Sequence, residues 1–399
     1  MRIGPSGKAA SRPFWILIPI IGSGTLAMHI VAPVLPLIGE AFAADIGATQ
    51  LTISLYMFVF AAGQLIYGPL SDRYGRRPVL LSGLALYIVA GVLCTAAMSI
   101  EWLLAARMLQ ALGGSAGMVI GRAIVHDTAR DADAAATLGA LNTVLLVSPA
   151  VAPVLGLWLA QLFGWRAVLA ILVGFGVAAF TGTALRIPET GERRREPLRT
   201  TLANYAGLAT DPQFMIQVLG GSLTTTTMFV VLTMSPFIVV NHLGRPLGDA
   251  GSFYIIFIGG LLAGSIIATR LVRRLGFDRL ILFAAFCGTA GGLLHLAAYM
   301  TGRLDTLVFA AAGSLYTFMS GIMAPLALTR TVGLAPQLRG SANGIFGFSQ
   351  AFAGAIAVTV AGAAPDVALS TGLVMLACAG TGLAVLLAIH ARARRLRRG

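Results

Sequence analysis

Long apolar segments separated by short polar ones repeat along the chain. Each apolar segment is about 20 residues long, enough for a helix to cross the roughly 30 Å hydrocarbon core of a membrane. Six such spans precede a charged, proline-containing stretch at 187–212, and six follow it. The predicted spans lie near 14–40, 51–70, 78–98, 102–124, 138–162, 166–186, 213–240, 252–272, 279–300, 305–328, 341–363 and 368–390.

This pattern predicts an all-α integral membrane protein with twelve transmembrane helices. We expect an N-terminal six-helix bundle at 1–186, a cytoplasmic central loop at 187–212, and a C-terminal six-helix bundle with a basic tail at 213–399. Composition excludes a large soluble helical protein, because 57% of the residues are hydrophobic and only 11% are charged. The first span is too long for a signal-peptide core and shows no clear cleavage site, so we expect it to be retained.

Basic residues are distributed unevenly between the two sides of the predicted membrane. With the N-terminus in the cytoplasm, 24 of the 28 Lys and Arg residues fall in cytoplasmic loops and tails, and three fall outside. This bias predicts that both termini are cytoplasmic. It also explains the net charge of +13 without a nucleic-acid partner. The basic C-terminal tail is better explained as a topology determinant than as a site for anionic membrane lipid.

Motifs for catalysis give no support to an enzyme. GGSAG at 113–117 spells the G-x-S-x-G of serine hydrolases, but that elbow needs a strand, a turn and a helix, whereas this string lies inside the fourth span. Gly113, Gly117 and Gly121 are four residues apart, so they favour close helix packing. No Walker loop, CxxC pair or histidine cluster occurs in the sequence. We therefore expect no metal and no cofactor.

The join between spans two and three, GPLSDRYGRRPV at 68–79, concentrates charge in an otherwise apolar chain. Its glycines permit tight turns and close helix approach, and Pro78 suits the first turn of the next helix. The equivalent join of the second half, TRLVRRLGFDRL at 269–280, also combines Arg, Gly and Asp. This single weak repeat suits a transporter built from two bundles, with its site between them.

The first of these joins resembles the loop signature G-x-L-x-D-R-x-G-R-[RK] of the major facilitator superfamily. The resemblance implies a cytoplasmic gate in which Asp72 latches the bundles near the start of a second-bundle helix. A carboxylate at a helix N-terminus contributes up to about 1 kcal/mol, weak enough to break in each transport cycle. The matching residues are Gly68, Leu70, Asp72, Arg73, Gly75, Arg76 and Arg77.

The resemblance extends to the drug/proton antiporter group and its Bcr/CflA-type multidrug exporters. LAARMLQALGGSAG is similar to their R-x-x-Q-x-x-G pattern, GRAIVHD to the R-A-I-V-R-D that follows, and SPAVAPVLGLW to the fifth-span stretch P-x-x-x-P-x-x-G. Similarity is good over 15–190, and the second half matches only in topology and loop charge. It implies export of small, partly apolar drugs or metabolites in exchange for protons, across a bacterial-type cytoplasmic (inner) membrane. The matching residues are Arg107, Gln110, Arg122, Asp127, Pro149, Pro153 and Gly156.

One position departs from the exporter pattern. These exporters typically carry an acid before a P-x-L-P segment in the first span, but this chain has His29, four residues before Pro33. No Asp or Glu lies deep in a predicted span. The ordinary pKa of histidine, about 6.5, suits a proton carrier, while a neutral histidine bonded to a carbonyl is the structural alternative. We therefore predict proton coupling through His29 and Arg107, with Asp127 as a further candidate.

Arg107 is the one Lys or Arg deep inside a predicted span, because the others within the span bounds lie close to the span ends. An unpaired arginine in hydrocarbon costs at least about 3 kcal/mol, so it must face the cavity, a partner or water. It would hold an anionic substrate or repel the proton site. Adaptable Met and aromatic side chains suit a promiscuous cavity, although helix packing explains most of them equally well. The cavity candidates are Thr25, Met28, His29, Tyr56, Arg107, Gln110, Gln217, Tyr316 and Met319.

Two alternatives to a proton-coupled exporter stay open. The missing membrane acid favours a metabolite uniporter or importer of the same fold. A non-transporting membrane receptor is a different class, and an intact gate loop argues against it, because a static protein needs no breakable latch. The expected partners are a small-molecule substrate and protons, and the protein is expected to act as a monomer.

Overall fold

The computed structural model describes residues 16–128, 148, 151–191, 198–335 and 338–396. These residues are predominantly helical. The helices of the first half are α1 (Leu17–His29), α2 (Leu35–Phe42), α3 (Ile46–Tyr74), α4 (Arg76–Thr95), α5 (Ile100–Thr128), α6 (Val151–Phe163) and α7 (Trp165–Arg186). Those that follow are α8 (Leu198–Thr210), α9 (Pro212–Phe237), α10 (Ala250–Leu275), α11 (Phe277–Met300), α12 (Thr306–Leu334), α13 (Arg339–Ala363) and α14 (Val367–Leu396).

The observed helices confirm the predicted all-α membrane fold. Among the described residues, eleven helical segments are long and apolar enough to cross a membrane. α6 is shorter, because part of the predicted fifth span at 138–162 lies outside the described residues. Predicted and observed boundaries differ by a few residues; the third span, predicted at 78–98, is observed at Arg76–Thr95.

The first span is a broken helix. α1 ends at His29, a 3₁₀ turn covers Ala32–Val34, and α2 begins at Leu35. Pro33 lies within the turn and lacks a backbone N–H, so it cannot continue the α-helical hydrogen-bond ladder. The last turn of α1 therefore presents backbone carbonyl groups that need other donors. This break prepares the site described below.

The two predicted equivalent joins have the same backbone geometry. Gly75 ends α3 and precedes α4 with φ of +102°, and Gly276 ends α10 and precedes α11 with φ of +78°. Glycine adopts such left-handed values without steric cost. The tight turn expected at Gly68 is absent, because α3 stays helical through that residue.

Each half packs around one central helix. In the first half α5 contacts α1, α3 and α4, and in the second half α12 contacts α9, α10 and α11. Between the halves α3 lies along α13, while the 3₁₀ turn after α1 packs on α9. The glycines of GGSAG serve this packing: a Cβ at Gly113 would lie 2.6 Å from the Gly83 carbonyl oxygen, and one at Gly117 would lie 2.1 Å from that of Ile20.

The central stretch between the halves contains α8, a helix where the sequence suggested only a loop. α8 packs against α9 and α13, at the end of the molecule that carries the basic loops. Leu208 is buried there in a cluster with Phe214 and Val218 of α9. Part of the central stretch is thus fixed to the second half.

Candidate transport site

Arg107 is wholly buried in α5 and uses its guanidinium group in three ways. Its Nη1 donates to Oε1 of Gln110, 2.7 Å away and one turn further along the helix. Its Nη2 donates to the carbonyl oxygen of Ala27 at 3.0 Å. The guanidinium carbon lies 4.1 Å from the centre of the Tyr56 ring, a cation–π contact. Side chains of α3 and α5 thus meet beside α1.

The C-terminal end of α1 accepts a hydrogen bond from Arg107 and offsets its positive charge, as a buried carboxylate would otherwise do. Ala27 lies in the last turn of α1, where carbonyl groups lack helical donors and carry the negative end of the helix dipole, about half an elementary charge. In the described part of the chain, no carboxylate forms an ion pair with Arg107. The broken first span therefore explains how a buried arginine is held without a buried acid.

Two buried tyrosines hold the middle of α1, just before the end that binds Arg107. Tyr56 Oη donates to the carbonyl oxygen of Gly24 at 2.8 Å, and Tyr87 Oη donates to that of Ser23 at 3.1 Å. Because Tyr56 belongs to α3 and Tyr87 to α4, α1 is held from two sides. Sequence analysis missed Tyr87, although a lone tyrosine in the apolar third span was a usable signal.

His29 is the last residue of α1, and its side chain is buried at the boundary between the halves. Its Nδ1 lies 2.7 Å from the carbonyl oxygen of Thr25, so Nδ1 carries the hydrogen, because a carbonyl only accepts. Nε2 is buried and has no hydrogen-bond partner among the described residues. The imidazole stacks on Phe229 of α9, with 6.0 Å between ring centres and 25° between planes. Nε2 therefore offers a free lone pair to a proton.

His29 and Arg107 share one structural element. The imidazole is tied to the Thr25 carbonyl and the guanidinium to the Ala27 carbonyl, both near the C-terminal end of α1. A proton on His29 would thus add a second positive charge beside the helix end that already holds Arg107. The two side chains are thus connected through the backbone of α1.

Three of the predicted cavity residues contact one another, and the others do not join them. The three are Tyr56, Arg107 and Gln110. His29 is linked to them only through the backbone of α1, and its ring stacks on Phe229. Met28 is buried within α1, and Thr25 Oγ1 donates locally to the Gly22 carbonyl oxygen. Gln217 is buried in the second turn of α9, where its Nε2 has no partner among the described residues.

Tyr316 and Met319 lie inside the second half, against α11. A Cβ at Gly292 would lie 2.4 Å from Tyr316 Oη, and one at Gly288 would lie 2.0 Å from Met319 Sδ. Both glycines belong to α11, so these side chains fill space between α12 and α11. The structure does not bring them to His29 or Arg107.

Arg76 is the centre of a charged cluster at the cytoplasmic end of the first half. It forms ion pairs with Asp72 and with Asp127, the latter with 3.1 Å between Nε and Oδ2. Its Nη1 also donates to Ser71 Oγ at 2.7 Å. In this structure Asp72 is therefore held inside its own loop, and its role as a latch between bundles stays a prediction.

Asp127 is far from the other two residues proposed for proton coupling. It lies 20 residues after Arg107 on the same helix, which corresponds to about 30 Å of helix length. The structure thus places Asp127 in the cytoplasmic cluster and does not bring it to His29.

Glu189 completes the cytoplasmic cluster, and sequence analysis missed it. Its carboxylate accepts from the backbone N–H groups of Arg76 at 2.8 Å and Arg77 at 3.4 Å, so it caps the start of α4. Arg77 Nη2 also donates to the carbonyl oxygen of Ala184 at 2.8 Å. Arg73 instead lies over the Tyr74 ring. The signal for Glu189 was an acid at the start of a basic stretch.

The fifth-span stretch reaches the backbone next to His29. A Cβ at Gly156 of α6 would lie 2.1 Å from the carbonyl oxygen of Ile30, so only a glycine permits this approach. Pro153 lies one turn earlier on α6. Pro149 lies outside the described residues.

Residues 17–358 match the Major Facilitator Superfamily. The chain belongs to this superfamily. It is 26% identical to Multidrug resistance protein D of Escherichia coli over 363 residues, covering 90% of this chain and 91% of that protein. It is 39% identical to a Chloramphenicol resistance protein of Pseudomonas aeruginosa over 181 residues, covering 45% and 43% of the two chains.

Two further comparisons agree with membership of this superfamily. A Bicyclomycin resistance protein homolog of Haemophilus influenzae is 24% identical over 312 residues, covering 77% of this chain and 78% of that protein. The crystal structure of a D-xylose-proton symporter superposes with a TM-score of 0.69 at 15% identity, covering 92% and 96% of the two chains, which shows the fold alone. The chain is thus a multi-pass protein of the cytoplasmic membrane, in a family that transports small molecules.

The two halves of this superfamily member carry one ion pair at equivalent places with the charges exchanged. In the first half Arg76 at the start of α4 pairs with Asp127 at the end of α5. In the second half Asp278 at the start of α11 pairs with Arg330 near the end of α12. Both pairs tie the third helix of a half to its central fourth helix.

Proposed function

We propose that this chain exports small, partly apolar drugs or metabolites from the cytoplasm in exchange for protons, by alternating access. The observation that carries the proposal is the buried site at the end of α1, where Arg107 binds the Ala27 carbonyl and His29 presents a free Nε2 between the halves. Similarity along nearly the full length of Multidrug resistance protein D supports drugs as the substrate class.

The proton step uses His29. A proton entering from outside binds Nε2 and converts the imidazole to imidazolium, while Nδ1–H remains bonded to the Thr25 carbonyl. The new charge lies at the helix end that holds Arg107, which weakens the hold of that end on the guanidinium and on any substrate there. Release of the same proton to the cytoplasm restores the first state.

The contact between His29 and Phe229 connects this chemistry to movement. The two rings belong to different halves, so rocking of one half against the other separates them. An imidazolium also interacts differently with an aromatic face than a neutral ring does. Protonation therefore changes the free-energy difference between the inward-facing and outward-facing states.

The remaining roles follow from position. The moving units are the bundles at 1–186 and 213–399, joined through 187–212. The gate comprises Asp72, its loop neighbours Arg73, Gly75, Arg76 and Arg77, and Asp127. When the latch is released, Arg76 pairs with both Asp72 and Asp127. The transporter acts as a monomer, surrounded by membrane lipid.

Overproduction in a drug-sensitive bacterial strain tests the proposal. Cells carrying the wild-type protein should tolerate a toxic, partly apolar compound better than cells carrying Arg107→Ala at equal protein level, and a protonophore should abolish the advantage. Tolerance that survives collapse of the proton gradient contradicts proton coupling and favours the uniporter. Equal sensitivity of both strains to a broad compound panel contradicts drug export.

A further inference from the structure

A basic cavity, widely open to the surface, lies at the cytoplasmic end of the second half, where α10 ends and α11 begins. Three arginines line it: Arg274 from α10, Arg279 from α11 and Arg330 from α12. Thr329 contributes a hydroxyl group to the same wall. This cavity is separate from the buried site around Arg107.

The matching place in the first half has balanced charges. There the three arginines of the loop, Arg73, Arg76 and Arg77, are accompanied by three carboxylates. These acids are Asp72, Asp127 and Glu189, and each bonds to Arg76 or to its backbone. The first half thus supplies its own anions, and Glu189 closes the start of α4.

In the second half, Asp278 is the one carboxylate among the described residues that line the cavity. Asp278 pairs with Arg330, which accounts for one arginine. Arg274 and Arg279 are exposed and form no ion pair within the described part of the chain. α11 follows Gly276 just as α4 follows Gly75, but its start carries no side-chain cap. The cavity is therefore short of negative charge at the place that Glu189 fills in the other half.

We propose that this cavity binds the phosphate group of an anionic phospholipid from the cytoplasmic leaflet. The guanidinium groups of Arg274 and Arg279 can each donate two parallel hydrogen bonds to phosphate oxygens. Leu275 and Phe277, also in the cavity wall, are 42% and 40% exposed, which suits the glycerol and acyl portion of a lipid more than free phosphate. Because α10 and α11 are membrane spans, their shared end lies at headgroup depth.

Native mass spectrometry of the full-length protein in detergent tests this site. Phosphatidylglycerol should remain bound in preference to phosphatidylcholine. The double variant Arg274→Gln/Arg279→Gln should retain roughly tenfold less phosphatidylglycerol, and Arg274→Lys/Arg279→Lys should keep most of it. The matched control, Arg245→Gln/Arg303→Gln, removes the same charge at the opposite end of the spans and should bind like wild type.

Three results would overturn the proposal. They are unchanged phosphatidylglycerol binding by the glutamine double variant, an equal loss in the control variant, and displacement of the lipid by millimolar inorganic phosphate. Size-exclusion chromatography of each variant verifies that a loss of lipid is not a loss of fold. The outcome is independent of drug transport, because no substrate is present.

Discussion

The Nη2 atom of Arg107 lies 3.0 Å from the carbonyl oxygen of Ala27, two residues before His29. This hydrogen bond joins α5 to the broken end of α1, so the permanent charge of the site is held by backbone atoms. A carboxylate would attract the guanidinium more strongly, but a helix end needs no buried acid. We propose that the neighbouring His29 carries the proton.

Replacement of Arg107 by Lys should nearly abolish transport. Lysine has no planar fork, so it cannot bond Gln110 and Ala27 together while stacking on Tyr56. Loss of a buried charged hydrogen bond, about 1.5–3 kcal/mol, corresponds to a rate at least about tenfold lower. Drug efflux from everted vesicles measures this.

Arg166 provides the matched control for that substitution. It too donates to a backbone carbonyl, that of Ala97 at 2.9 Å, and lies 4.2 Å over an aromatic ring, that of Trp165. It is located at the start of α7, away from the site. Arg166→Lys should keep most transport, and equal losses in both variants would mean that Arg107 acts only in folding.

Substitution of Gly156 by Ala should damage both stability and transport. The added Cβ would lie 2.1 Å from the Ile30 carbonyl oxygen, so α6 has to move away from the end of α1. Overpacking of this kind costs about 1–3 kcal/mol. Thermal unfolding in detergent measures it, and Gly174→Ala on α7, where no atom lies within 4 Å, should be neutral. A wild-type melting temperature for Gly156→Ala would contradict the close approach.

The hydrophobic pattern of the sequence specified most of the fold, because helices that cross a membrane must be long and apolar. Polar residues inside such segments identified His29, Arg107 and Gln110. The acceptor for Arg107 could not be predicted, since a backbone carbonyl at Ala27 has no residue-type signature. The orientation of Tyr316 could not be predicted either, because the sequence does not show which face of α12 packs against α11.

Glu189 should stabilise the cytoplasmic end of the first half. Glu189→Ala removes the acceptor for the N–H groups of Arg76 and Arg77, at a cost of about 1 kcal/mol. Denaturant titration of the protein in detergent measures the loss in free energy of unfolding. Glu40, exposed at the end of α2, offers a control, and Glu40→Ala should change stability little. Equal stability of the two variants would contradict the role of Glu189 in capping α4.

Asp366 should make stability depend on acid pH. Burial raises the pKa of Asp366, but hydrogen bonds outweigh this effect. Tyr299 Oη and the backbone N–H groups of Leu369 and Ala368 donate to the carboxylate and hold its pKa below the ordinary value. Because the folded pKa is the lower one, the stabilisation is present above the unfolded pKa of about 3.9 and is lost as pH falls through the folded pKa.

The pH dependence of unfolding tests the role of Asp366. Tyr299→Phe removes one of its hydrogen bonds, so loss of stability should begin at a higher pH than in wild type. Asp366→Asn should be less stable at neutral pH and less sensitive to acid. Identical acid profiles for all three proteins would show that this carboxylate does not contribute.

Proton movement by His29 is the central claim, and proteoliposomes test it directly. The protein is reconstituted with a pH-sensitive dye inside, and an exported drug is added on one side. Wild type should move protons against the drug, His29→Asp should keep the exchange with a shifted pH profile, and His29→Ala should bind drug without moving protons. Undiminished drug-driven proton flux in His29→Ala would contradict the account.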